Sequence, residues 1–177
     1  MAKIRIPDID FILSGSHLVD GEEVVNNDHY STSFVFSGKK VILFAVPGAY
    51  TPICSSSMLP NWEEYYDKFK KDFGIDAIYC TGVNDDYVMQ AWGHELGIKK
   101  VEMLPDGNGE LAEGLGMLVR KTNCGYGNRS WRYAAYVVDG IIEDMFEEPG
   151  KMNNCPNDPY TISDAAHVYK QLRAKLL

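Results

Sequence analysis

The chain has 177 residues, 45% of them hydrophobic, and a formal net charge of −8. Such a length and apolar content fit one globular domain with a sizeable core and exclude a disordered chain. The acidic balance, with no cluster of Lys or Arg, argues against a nucleic-acid partner, and no apolar run approaches the ~20 residues of a membrane span.

The first forty residues read as short strands and turns. Residues 4–6 and 10–13 suit extended chain, and Ser14-Gly-Ser and Asp20-Gly-Glu-Glu carry turn signals. Ser33-Phe-Val-Phe36 leads through Ser37-Gly-Lys-Lys into a central strand. The N-terminus, Met1-Ala-Lys-Ile-Arg-Ile-Pro, lacks the apolar core of a signal peptide, so a cytoplasmic protein is expected. Val41-Ile-Leu-Phe-Ala-Val46 is an unbroken apolar run, which predicts a strand buried on both faces.

Pro47, Gly48 and Pro52 end that strand and force a turn. Thr51 and Cys54 follow, and small polar residues after Cys54 open a helical pattern. Cys54 thus falls in the first turn of a helix, where free backbone N–H groups and the positive end of the dipole favour an ionised sulfur. A buried, inert cysteine is the competing reading of that position. Pro60 comes about two turns into the helix and predicts a kink or break. Trp62, Tyr65, Tyr66, Phe69 and Phe73 then share one face, which reads as core packing rather than a cofactor site. Gly74 ends the helix.

Residues 77–83 predict the next buried strand, Asn84-Asp-Asp86 offers helix caps, and residues 87–96 predict a helix closed by Gly97. Residues 101–104 suit a short strand, Pro105-Asp-Gly-Asn-Gly a turn, and residues 110–118 a short helix interrupted by glycines. Residues 131–138 and 141–147 predict two strands joined by an Asp139-Gly140 turn. Residues 148–160, with three prolines, predict a loop. Ser163 suits the cap of a last helix, with Ala165, Tyr169, Leu172 and Leu176 on its buried face. Helices alternating with strands, then a terminal hairpin, define an α/β fold with a parallel centre and an antiparallel end.

Four cysteines stand at 54, 80, 124 and 155, with no Cys-x-x-Cys pair, which speaks against a zinc site or a thioredoxin-type dithiol. Cys80 is expected to be buried and inert, and Cys124 to lie in a loop. His17, His29, His94 and His167 are scattered without ligand spacing, and no metal is assigned to them.

Pro47-Gly-Ala-Tyr-Thr51-Pro-Ile-Cys54 resembles the active-site loop of peroxiredoxins, Pro-x-x-x-Thr/Ser-x-x-Cys. In its longer form, with Val46 before it and Ser55 and Leu59-Pro60 after it, the stretch looks like the peroxiredoxin V, or plant type II, subfamily. The resemblance extends over most of the chain: Gly82-Val-Asn84-Asp85 with one change, Trp92-Gly93, Leu104-Pro-Asp106-Gly-Asn-Gly109, Arg129 to Tyr133, and Val137 to Gly140. It implies a single thioredoxin-like domain over residues 1–177, with a central mixed sheet flanked by helices, an N-terminal extension and a terminal β-hairpin.

The same resemblance implies a thiol-dependent peroxidase that reduces hydrogen peroxide and alkyl hydroperoxides through a Cys54 sulfenic acid. Such chemistry needs a thiolate nucleophile and donors aimed at the leaving oxygen. By resemblance Cys54 attacks, the Thr51 hydroxyl bonds the peroxide and the thiolate, and the N–H groups of Ile53 and Cys54 hold its oxygens. Pro47 shields the sulfur, Arg132 is the catalytic arginine, and Arg129 assists or caps a loop. Met58 stands where many relatives have histidine, so this site is more apolar. Cys155, in the 148–160 loop, is a candidate resolving cysteine, with Cys124 a weaker one. The competing route is an external reductant, glutaredoxin with glutathione or thioredoxin. No metal, haem or flavin is implied, and a homodimer is. The alternative reading is a redox sensor or chaperone-like binding protein switched by Cys54 oxidation.

Overall fold

The computed structural model describes residues 3–177, apart from the side chains of residues 16–19 and 23. The chain opens with strands β1 (Ile4–Arg5), β2 (Asp10–Val19) and β3 (Glu22–Ser31), then a short helix α1 (Thr32–Phe36). Strand β4 (Lys40–Ala45) and helix α2 (Leu59–Phe73) frame the cysteine loop. They are followed by β5 (Ala77–Gly82), α3 (Asp86–Glu95), β6 (Glu102–Pro105) and α4 (Glu110–Gly114). The last third holds β7 (Leu118–Arg120), β8 (Asn128–Ser130), β9 (Tyr133–Val138), β10 (Ile141–Glu147) and α5 (Ala165–Leu176).

Six strands form one mixed sheet in the order β1-β10-β9-β4-β5-β6. The β4–β5 and β5–β6 pairs are parallel, with α2 and α3 as their crossovers, and β9 runs antiparallel to β4. The predicted central strand is thus central, and Val41 to Ala45 are wholly buried because both faces of the sheet are covered. Ile42, Phe44 and Val46 point into one core layer with Trp62, Phe69, Met89, Trp92 and Leu172. Val41, Leu43 and Ala45 point into the other with Phe11, Phe36, Leu111 and Trp131. The alternation follows from the two-residue period of a strand. Asp139 (φ 50°) and Gly140 (φ 73°) make the tight turn between β9 and β10, as predicted.

Several local expectations are corrected. Ser14-Gly-Ser lies inside β2, which pairs with β3 from Asp10↔Ser31 to Val19↔Glu22, and only Asp20-Gly21 turns. Residues 33–36 are helical rather than extended: the Ser31 hydroxyl accepts from the Phe34 N–H, and Val35 and Phe36 sink into the second core layer. Pro60 neither breaks nor ends the helix. The chain is helical from residue 52, and Cys54–Met58 widens into a π-type turn in which the Leu59 N–H reaches the Cys54 carbonyl. One extra residue in the turn sets α2 off with Pro60 in its first turn, where a proline ring is tolerated. The predicted helix over 110–118 stops at Gly114, and residues 118–130 form the small β7–β8 hairpin instead. Asp164, not Ser163, caps α5, and Val168 rather than the exposed Leu176 completes its buried face.

Ser163 is nonetheless engaged. After β10 the chain is latched by Glu148, whose carboxylate is wholly buried. Its Oε1 accepts from the N–H groups of Thr161, Ile162 and Ser163 and from the Ser163 hydroxyl, and its Oε2 from the Thr161 hydroxyl. Burial opposes the charge, but the donors of Ser163 and Thr161 outweigh it and hold this carboxyl below its ordinary value. A depressed carboxyl adds stability that is complete above the ordinary carboxylate range and is lost as pH falls through the folded value. Glu148→Gln is therefore expected to lower stability by about 2 kcal/mol near neutrality. It should also flatten the acid limb of the stability profile, read by denaturant titration at stepped pH.

Candidate active site

Three segments converge at the C-terminal end of β4: the loop of residues 46–53, the wide turn Cys54–Met58, and the residue just before β9. Tyr50 takes a left-handed conformation (φ 61°) and turns the loop so that Thr51 and Cys54 enter the helix together. Cys54 is wholly buried, and Pro47 is buried beside it in sequence. The Thr51 hydroxyl donates to the Gly48 carbonyl at 2.7 Å, so its oxygen is left to accept. The N–H groups of Ile53 and Cys54 fall in the helix's first turn, ahead of any helical carbonyl that could take them. Trp92, on α3, donates its indole N–H to the Ser55 hydroxyl at 2.9 Å and pins the turn that carries the sulfur.

Arg132 lies one residue before β9 and is 1% exposed. Its placement follows from strand register: Ala45 pairs with Tyr133, so the residue preceding Tyr133 stands beside the residue following Ala45. Arg132 Nη1 donates to Cys54 Sγ at 3.5 Å and to Met58 Sδ at 3.2 Å. Nη2 donates to Asp158 Oδ1 at 2.6 Å, and the Tyr160 ring lies 5.6 Å from Cζ. Nε is buried with no hydrogen-bond partner among the described residues. Burial works against the guanidinium charge, but Cys54 and Asp158 overcome it and raise its pKa above the ordinary value. The group is held as a cation, and its Nε–H has no acceptor among the described residues.

Arg129, the other arginine of the motif, braces the loop. Its Nη1 donates to Asn84 Oδ1 at 3.2 Å, its Nε to the Tyr126 carbonyl, and Asn84 Oδ1 also accepts from the Ala49 N–H. Gly48 allows this packing, since a Cβ there would stand 2.7 Å from Arg129 Nη1.

The other cysteines differ sharply. Burial pushes the Cys80 thiol well above its ordinary pKa, with neighbouring Cys54 adding to the effect. Cys124 is exposed at the end of a short 3₁₀ turn, as expected of a loop residue. Cys155 is not the exposed, mobile thiol that its loop suggests. It is 8% exposed and packs in the core layer opposite Cys54, with its carbonyl bonded by Asn123. Of the histidines, His29 faces Asp10, His94 ends α3 and His167 packs on Phe146, while the side chain of His17 lies outside the described residues. Sequence reasoning missed Asp158 and Tyr160, which carried only loop signals, and the Trp92–Ser55 bond.

A profile of the redoxin family matches residues 6–166, and the chain belongs to that family. A peroxiredoxin of Rhizobium etli is 48% identical over 165 residues, 93% of this chain and 88% of that one. Among solved structures, the Plasmodium falciparum antioxidant protein, a 1-Cys peroxiredoxin, superposes with a TM-score of 0.89 at 35% identity, covering 97% of this chain and 98% of that one. Reduced Prx3 of Vibrio vulnificus in complex with H2O2 does so with a TM-score of 0.81 at 30% identity, covering 99% and 98%. The fold is therefore the thioredoxin-like one of the peroxiredoxins. Within the redoxins this chain is a peroxiredoxin, an enzyme of the thiol-dependent peroxidase class.

Met58 gives the site a particular electrostatic character. A thioether accepts from Arg132 without titrating, whereas a histidine there would gain a proton as pH falls. Met58→His is expected to introduce an acid limb in the peroxide reaction below about pH 6.5, where imidazolium would face the guanidinium. Stopped-flow oxidation of wild type and variant across pH checks this, and a limb of equal size in wild type would remove the explanation.

Proposed function

We propose that Cys54 is the peroxide-reacting thiol, that Thr51 and Arg132 act with it on the substrate, and that an external thiol recycles the enzyme. The observation that carries this reading is the buried Arg132 guanidinium, with Nη1 at 3.5 Å from Cys54 Sγ and Nε without a partner among the described residues. A cation at the sulfur favours the thiolate, and a spare donor in a water-poor site suits an oxygen that gains charge. The Cys54 thiolate attacks one oxygen of the peroxide in line. The S–O bond forms, the O–O bond breaks, and the second oxygen leaves with the electron pair and takes up a proton as water or alcohol. Thr51 Oγ1, already donating to Gly48, accepts the peroxide O–H, while the N–H groups of Ile53 and Cys54 and Arg132 Nε face the oxygens. Pro47 limits access of water, and Arg129 keeps the loop in shape through Asn84.

The product, Cys54 sulfenic acid, is reduced by a thiol, which forms a mixed disulfide and releases water; a second thiol then restores Cys54. The burial of Cys155 in the opposite core layer favours an external thiol, such as glutathione with glutaredoxin or thioredoxin, for the first of these steps. A homodimer formed through surfaces flanking the loop, where Tyr50 is half exposed, and a cytoplasmic setting complete the reading.

Cys54→Ser is expected to abolish peroxide consumption, and Arg132→Lys to slow it by about 10²-fold, because a point ammonium cannot serve sulfur and oxygen together. Cys155→Ser should match wild type with dithiothreitol, thioredoxin and glutathione–glutaredoxin alike. Full activity of Cys54→Ser would sink the assignment. Selective loss of one reductant's support in Cys155→Ser would make Cys155 the resolving residue.

A further inference from the structure

Asp158 sits in the irregular segment between β10 and α5. Its carboxylate nevertheless makes the shortest contact of the Arg132 guanidinium, 2.6 Å from Oδ1 to Nη2. The pair is lopsided: the Arg132 side chain is 1% exposed and that of Asp158 39%. Two residues on, Tyr160 lays its ring toward the guanidinium at 5.6 Å, and its hydroxyl is tied to Asn61 and Asp164. The segment itself is anchored on both sides, by Asn154 N–H on the Arg120 carbonyl and by the Glu148 latch on residues 161–163. Asp158 is therefore a fixed acceptor presented from the outside to a buried cation.

We propose that Asp158 is the positioning residue of Arg132: by holding Nη2 it aims Nη1 at the Cys54 sulfur and leaves Nε directed at the substrate oxygen. This rests on the assignment of Cys54 and Arg132 made above. A guanidinium is planar and rigid, so fixing one nitrogen fixes the directions of the other two. The remaining acceptors, Met58 Sδ at 3.2 Å and Cys54 Sγ at 3.5 Å, are sulfurs and weak ones. Without Asp158, no strong acceptor among the described residues holds the side chain against rotation away from the sulfur whenever Cys54 is neutral.

The charge of Asp158 acts in the opposite sense to its grip. A carboxylate near the site disfavours a second anion at Cys54, whereas the anchored guanidinium favours it. Asparagine keeps an acceptor oxygen and loses the charge; alanine loses both. The two variants therefore separate positioning from simple electrostatics and from a structural role.

The test uses the full chain with Asp158→Ala and Asp158→Asn. Iodoacetamide alkylation of Cys54 is timed at a fixed pH near neutrality by mass spectrometry of its peptide, and oxidation of Cys54 by hydrogen peroxide is timed by stopped flow. Asp158→Ala is expected to slow alkylation severalfold and peroxide oxidation by about tenfold or more, since small misplacements of a reacting group are costly. Asp158→Asn should alkylate at or above the wild-type rate and recover oxidation to within about threefold of wild type. The proposal is overturned if Asp158→Ala stays within about twofold of wild type in both reactions, or if Asp158→Asn is as slow as Asp158→Ala. Near-UV circular dichroism verifies the fold, and Asp158→Ser replaces the alanine variant if that variant loses its signal. Alkylation of Cys54 requires no turnover, so it judges the hold on Arg132 even if Cys54→Ser shows that peroxide is consumed elsewhere.

Discussion

A guanidinium buried to 1% exposure is the constraint on which the rest of this structure depends. An unpaired charge in a protein interior is strongly unfavourable, so a buried arginine is tolerated only where acceptors surround it. Arg132 meets Asp158 on one nitrogen and two sulfurs on another. The sulfurs come from one turn of chain, and that turn has an unusual width. Widening Cys54–Met58 by one residue lets Leu59 bond the Cys54 carbonyl and lets Pro60 follow without leaving the helix. It also keeps Cys54 and Met58 both fully buried and both within reach of Nη1. The proline that should break the helix and the wide turn that holds the two sulfurs are thus one adaptation.

The sheet supplies the distance between sulfur and cation. Strands β4 and β9 lie side by side in the middle of six, and Ala45 pairs with Tyr133. The chain leaves β4 toward Cys54 and enters β9 from Arg132, so both functional groups stand just beyond the same end of the same strand pair. A slip of one residue would turn Arg132 toward the opposite core layer, because successive side chains alternate faces. The near-complete burial of Val41, Ile42, Leu43, Phe44, Ala134 and Ala135 makes such a slip prohibitively unfavourable. Precision at the site is inherited from core packing along the β4–β9 strand pair.

How much of this can be read in the sequence follows from the range of the interactions. The central strand, its glycine- and proline-marked turn, the aromatic face of α2 and the Asp139-Gly140 hairpin are local patterns, and each appears where its period or turn chemistry puts it. The segment 33–36 fails because its apolar pair serves a strand or a helix equally well, and the Ser31 cap together with packing against Phe11 decides. The β7–β8 hairpin fails because its strands hold three residues each, too few for any period to show. Cys155 reads as a loop thiol because its burial comes from the second core layer, which no local pattern reveals. Asp158 is the extreme case: it stands 26 residues from Arg132 in a proline-rich stretch, and only the tertiary fold brings them together.

The placement of a carboxylate beside a guanidinium that also faces a thiol has a reason in the charge states of the proposed cycle. When Cys54 is an anion, Arg132 has a counter-charge at the sulfur. In the proposed cycle, once the sulfur is a neutral sulfenic acid that counter-charge is gone while the guanidinium remains buried and cationic, since its proton is too tightly held to leave. A site balanced by sulfur alone would then carry an isolated interior cation in every oxidised state, and the arginine would be driven toward solvent. Asp158 meets that charge in all states, at the expense of some stabilisation of the thiolate. Its partial exposure keeps the expense small, since water screens the carboxylate from the sulfur more than from the nitrogen 2.6 Å away. The arrangement therefore favours an arginine that stays in place through oxidation and reduction over one that maximises thiolate charge at a single step.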